Sequence, residues 1–157
     1  MLALLAATAG RLAAAEILVY VGTYTRGASK GIYLYRLDLS SGTLTSVGLA
    51  AETVNPSFLA IHPNRRFLYA VGETNEFAGQ KSGVVGAYAI DPATRKLALL
   101  NQQPSGGGGP CYLVVDRSGR HVLVANYGGG SVAVFPIGAD GELGSAGAFV
   151  QIGRAHV

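Results

Sequence analysis

"NPSFLAIHPNRRFLYAVGE" (residues 55–73) and "GPCYLVVDRSGRHVLVANY" (109–127) are one segment written twice. Pro56 falls on Pro110, Leu59 on Leu113, and Ala70-Val71 on Val124-Ala125, each pair 54 positions apart. A fainter copy comes first: "VYVG" (19–22) lies over "YAVG" (69–72). Each copy leads into a second apolar run, "GIYLYRLD" (31–38), "GVVGAYAID" (83–91) and "GSVAVFPIG" (130–138). A third, weaker run follows each: "GTLTSVGLA" (42–50), "KLALLNQQ" (96–103) and "GELGSAGAFV" (141–150).

The runs are short, rich in β-branched and aromatic residues, and separated by Gly, Asn, Asp and Pro. That pattern predicts strands and turns. Beyond the N-terminus nothing sustains a 3.6-residue period, so an all-β fold is expected. A unit of about 45–55 residues holding four short strands is the mark of a β-propeller blade of antiparallel strands. Blade one covers 17–54, blade two 55–108 and blade three 109–151. In blade two the strands are expected near Phe58–His62, Phe67–Gly72, Val84–Ile90 and Lys96–Gln102, innermost first. In blade three they are expected near Tyr112–Asp116, His121–Asn126, Ser131–Ile137 and Leu143–Val150. Blade one lacks an innermost strand, as where a ring closes with a strand from the opposite terminus. A ring of seven such blades needs about 350 residues. The 157 residues here supply about three blades, so the chain reads as an N-terminal fragment.

Composition fits this reading. Hydrophobic residues make up 49% of the chain and charged residues only 13%, enough for a folded core. The twelve Lys and Arg give a net charge of +3 but form no run, which argues against nucleic acid as a partner. The single cysteine, Cys111, excludes an internal disulfide and a multi-cysteine zinc site. The start, "MLALLAATAGRLAAAE" (1–16), reads either as a targeting remnant or as a ragged start. The protein is periplasmic or secreted on the first reading and cytoplasmic on the second. The apolar run is too short to span a membrane. Residues 152–157 read as a non-native tail. "IGRAHV" is what ATC GGA AGA GCA CAC GTC encodes, a sequencing-adapter sequence, so His156 is left out of the site.

The phrases "GTYT", "NPSFLAIHPNRRFLYAVGE", "GVVGAYAID" and "PCYLVVDRSGRHVLVANYGGGSVAVFPI" resemble the lactonase family of seven-bladed β-propellers, from about Ile17 to Gly144. The resemblance implies hydrolysis of a small sugar-acid lactone such as 6-phosphogluconolactone, without a cofactor, by a protein monomeric at full length. It also implies that further His, Arg and Glu residues of the site come from later blades. The chain alone is therefore expected to be inactive.

In a meander the inner strand starts at the edge where the next strand ends. Asn55, Ser57 and Cys111 should therefore share the channel mouth with Tyr24, Glu73, Asn126 and Tyr127. Glu73 is the acid–base candidate, able to activate water against a lactone carbonyl; a salt bridge or a turn cap is the competing account. Asn126 and Tyr127 are candidates for binding sugar hydroxyls, or simply end a strand. Ser57 and Cys111 occupy matching repeat positions, which favours a structural role over a nucleophile. Tyr24, Asn55 and Ser57 join the substrate-binding candidates. Arg26, Lys30 and Lys81 lie in mouth-side loops and could meet a phosphate, as could the backbone of "SGGGGP" (105–110). His62 and His121 fall away from the mouth and read as structural. No metal motif is present. A non-catalytic secreted propeller that binds carbohydrate or protein, and a muconate-type lactone cyclase or isomerase, remain the alternatives.

Overall fold

The computed structural model describes residues 16–153. The apolar leader and His156 lie outside the described residues. Eleven strands form three antiparallel sheets. Blade one is three-stranded: β1 (Glu16–Val21), β2 (Gly31–Asp38) and β3 (Leu44–Glu52). Blade two runs in the order β4 (Leu59–Ile61), β5 (Phe67–Gly72), β6 (Val84–Ile90) and β7 (Leu97–Pro104). Blade three runs β8 (Pro110–Val115), β9 (His121–Asn126), β10 (Ser131–Pro136) and β11 (Ala148–Gln151). No helix among the described residues is long and apolar enough to cross a membrane.

The outermost strand of blade three is shorter than the sequence predicts. Leu143 is buried and makes only an isolated bridge to Ile137; regular pairing resumes at Ala148. The backbone turns between them because Leu143 serves as a plug. Asn101 Nδ2 and Gln103 Nε2 of β7 donate to the Leu143 carbonyl, at 2.8 and 3.0 Å, and Asn101 Oδ1 accepts from its N–H.

The run FLYAVG explains how the blades stack. All six residues of β5 are buried. Side chains alternate across a strand, so Phe67, Tyr69 and Val71 enter a core shared with Leu113, Val122, Val124, Ala133 and Phe135 of blade three. Leu68 and Ala70 enter a second core with Ile32, Leu34 and Ala50 of blade one. A continuous apolar run is what a strand covered on both faces needs.

Aspartates close the turns opposite the mouth. Asp38 Oδ1 accepts from the Ser40 hydroxyl and the Ser40 and Ser41 N–H groups. Asp91 Oδ1 accepts from Ala93 and Thr94, and Asp116 from Ser118, Arg120 and His121. These donors favour the ionised carboxylates, and all three pKa values fall below the ordinary 3.8. Chiefly responsible are the Ser40 hydroxyl for Asp38, the Thr94 N–H for Asp91 and the Ser118 hydroxyl for Asp116. Their stabilisation is complete above the unfolded-state value and is lost as pH falls through the lowered native ones. Urea midpoints measured downward from pH 5 should therefore decline below about pH 4. The Asp116→Asn variant should decline less steeply; an identical slope would contradict this assignment.

His62 ties the blades on the same side. Its Nε2–H donates to the Gly119 carbonyl at 2.8 Å, while Nδ1 accepts from the Asn64 N–H at 3.1 Å.

Candidate functional site

The loop after β1 and the end of β5 meet at the mouth. Tyr24 Oη donates to Glu73 Oε2 at 2.8 Å. Tyr24 is 53% exposed, so the pair faces solvent. The hydrogen bond to Glu73 holds the phenolic proton and raises the Tyr24 pKa, with desolvation and the Glu73 charge adding to it. Ser57 and Cys111 also stand near the phenol. One oxygen of Glu73, Oε2, is thus occupied by Tyr24.

Asn55 builds this arrangement from behind. Its Oδ1 accepts from the Thr25 N–H and hydroxyl at 3.0 and 3.1 Å. Its Nδ2 donates to the Glu73 carbonyl at 3.3 Å, and its own carbonyl accepts the Glu73 N–H at 2.9 Å. Asn55 has φ of 43°, a left-handed conformation that Asn adopts more readily than most residues. Gly22 lets the two segments close. A Cβ there would stand 1.9 Å from the Pro56 carbonyl oxygen.

The structure gives two of the candidates protein partners. Asn55 is expected to bind substrate; in the structure both ends of its side chain are engaged by protein. Asn126 is expected to reach sugar hydroxyls, yet it is 1% exposed. Its Nδ2 donates to the Ser105 carbonyl at 2.9 Å and to Ser131 Oγ at 3.1 Å. It pins the link between blades two and three to β10. Asn126→Ala should cost about 1–3 kcal/mol, because the Ser105 carbonyl stays buried without its donor. Chemical denaturation would measure this, and a neutral variant would refute it.

The other candidates divide. Ser57 Oγ is buried with no hydrogen-bond partner among the described residues. Tyr127 is 63% exposed on the mouth side, its N–H bound to the Gly109 carbonyl at 3.0 Å. Arg26 is exposed in the loop after Tyr24. Among the described residues the single close contact between a basic and an acidic side chain is His121 Nδ1–Asp116 Oδ2 at 3.5 Å, opposite the mouth, so no Lys or Arg pairs with Glu73. Lys81 lines a separate groove of about 740 Å³ between blades two and three, together with Gly106–Gly108. Thr25 escapes the sequence reading; its signal is its place beside Tyr24 in "GTYT". Among the described residues no cluster of three His, Cys, Asp or Glu could hold a metal ion.

Comparison with known proteins gives consistent results. The family described as Lactonase, 7-bladed beta-propeller, matches residues 18–155. The 6-phosphogluconolactonase of Bacillus subtilis (strain 168) is 43% identical over 126 residues, which is 80% of this chain and 35% of that protein. The structure of the Pseudomonas aeruginosa periplasmic gluconolactonase superposes with a TM-score of 0.78 at 35% identity. It covers 87% of this chain and 39% of the other. A protein from Lactobacillus plantarum superposes with a TM-score of 0.75 at 35% identity, over 87% of this chain and 38% of that one. The chain thus spans little more than a third of the length of each of these relatives.

Proposed function

The chain belongs to the seven-bladed β-propeller lactonase family, and from that premise we propose that its blades serve a hydrolase that opens a sugar-acid lactone, 6-phosphogluconolactone foremost. The observation that carries this is the Tyr24–Glu73 pair, a carboxylate oriented by a phenol at the mouth. The relative named above as a 6-phosphogluconolactonase supports the choice of substrate.

The chemistry is addition and elimination at the ester carbonyl. Glu73 Oε1 accepts a proton from water as the water oxygen attacks the lactone carbonyl carbon. The tetrahedral intermediate collapses, the bond from carbonyl carbon to ring oxygen breaks, and the proton returns to that oxygen. The product is the open hydroxy acid. Tyr24 keeps the carboxylate aimed, and exposed Tyr127 offers an aromatic face and a hydroxyl to the sugar. The intermediate's oxyanion calls for a cation or paired donors, and among the described residues no Lys or Arg pairs with Glu73. That group is assigned to the rest of a ring, which closes as a monomer, and the present chain alone should hydrolyse lactone only at background rate.

A chimera tests the reading. Residues 16–151 would replace the matching stretch of the Bacillus subtilis 6-phosphogluconolactonase. Release of acid from 6-phosphogluconolactone by the chimera is the expected result. A chimera that melts cooperatively but is inactive would overturn the proposal.

A further inference from the structure

We propose that the groove between blades two and three is the subsite for the substrate's phosphate; this rests on the lactonase reading above. Along the chain, Thr74 alone separates Glu73 from the segment that lines the groove. The Thr74 carbonyl accepts the Gly109 N–H at 2.9 Å, and the next residue, Asn75, lines the groove. On this proposal the lactone carbonyl sits at Glu73 and the far end of the substrate in this polar cleft.

The floor is largely backbone, with the Asn75 side-chain oxygen against it. Gly129 donates to the Gly108 carbonyl at 2.9 Å, so the segments 106–109 and 128–130 lie against one another. Side chains would spoil this contact. A Cβ on Gly108 would stand 2.7 Å from Asn75 Oδ1, and one on Gly129 3.0 Å from the Gly107 Cα. Both glycines have ordinary negative φ, so close approach rather than backbone freedom requires them. Among the described residues, the N–H groups of Gly108 and Gly128 donate to no protein acceptor. Two unspent donors and the Lys81 ammonium on the wall match the oxygens of a phosphoryl group. Lys81 is exposed and, among the described residues, pairs with no carboxylate.

Glu76 lines the same groove and opposes an anion. It supplies a second, opposite handle on the charge. Gln151 closes the far wall, with its Nε2 donating to the Gly129 and Gly130 carbonyls at 2.8 and 3.0 Å.

The test is a titration of the isotopically labelled chain with 6-phosphogluconate and with gluconate, following backbone amides by NMR. The two differ only in the phosphate. The expected result is movement of the Gly108 and Gly128 amides by 6-phosphogluconate at about tenfold lower concentration than by gluconate. Lys81→Met should erase most of that advantage, and Glu76→Gln should enlarge it; neither residue has a hydrogen-bonded role in the fold. Equal responses to the two ligands, or an advantage indifferent to both substitutions, would overturn the subsite. Those results would leave the lactonase reading intact, whereas an inactive chimera would sink that reading and leave this titration to judge the groove.

Discussion

Tyr69→Ala is expected to lower the unfolding free energy by about 3–5 kcal/mol. Tyr69 is the largest fully buried side chain of β5 and packs into the core shared by blades two and three. Its hydroxyl donates to the Gly141 carbonyl at 3.0 Å, binding β5 to the turn that precedes the Leu143 plug. Gly141 has φ of 89°, and a Cβ there would stand 2.4 Å from the Phe67 ring, so this turn cannot retreat to fill a cavity. Tyr69→Phe keeps the ring and removes only the hydroxyl, and about 1–3 kcal/mol should be lost because the acceptor stays buried. Domains of this kind hold about 5–15 kcal/mol in total, so the alanine variant approaches the threshold of folding. Burial, with the Asp140 charge second, pushes the Tyr69 pKa up to about 12. A raised native value means stability that is complete below the unfolded value of 10 and is lost as pH rises toward 12. Tyr69→Phe should flatten that alkaline decline in part only, because burial raises Tyr20 and Tyr88 in the same direction. Urea titrations at several pH values measure both effects. An alanine variant losing under about 1 kcal/mol would show that the two blades do not cohere through this residue.

The features legible in the sequence are those set by local pattern. The 54-residue repeat marks the blades, and the unbroken apolar run 67–72 is that of a strand covered on both faces. Pro56 and Pro110 mark where inner strands begin. The meander rule places Tyr24 and Glu73 at one edge, and the structure puts them 2.8 Å apart. What escaped depends on packing between blades. The segment "ANY" does not reveal whether its asparagine faces the channel or the seam between sheets. The seam wins because the Ser105 carbonyl and Ser131 hydroxyl are buried there and need a donor. Asn55 carries the same lesson. It reads as a polar residue at a mouth, but its left-handed backbone turns it toward Thr25, thirty positions away. Lys81 and the glycine run were each legible as anion-binding chemistry. That they line one groove follows from blade two packing on blade three, which no local pattern records.

Glu73→Gln in the chimera should reduce kcat for lactone hydrolysis by about 10²–10⁴-fold, the usual contribution of a positioned acid–base group. The amide keeps the shape, and its oxygen can still accept from Tyr24 Oη. The Glu73 N–H to Asn55 carbonyl bond is main-chain and survives. The melting temperature should therefore hold while the rate falls, which separates chemistry from folding. KM should change little, because the lost group acts on water rather than on the sugar. Tyr24→Phe asks a different question. It frees the carboxylate without removing it, so a loss of about tenfold is expected, the cost of one orienting hydrogen bond. If Glu73→Gln kept the full rate, the base would lie elsewhere in the ring, and the Tyr24–Glu73 pair would be a strut joining blade one to blade two. In that case Tyr24→Phe would lower the melting temperature without touching kcat. The two variants together thus decide whether the pair at the mouth is chemistry or scaffold.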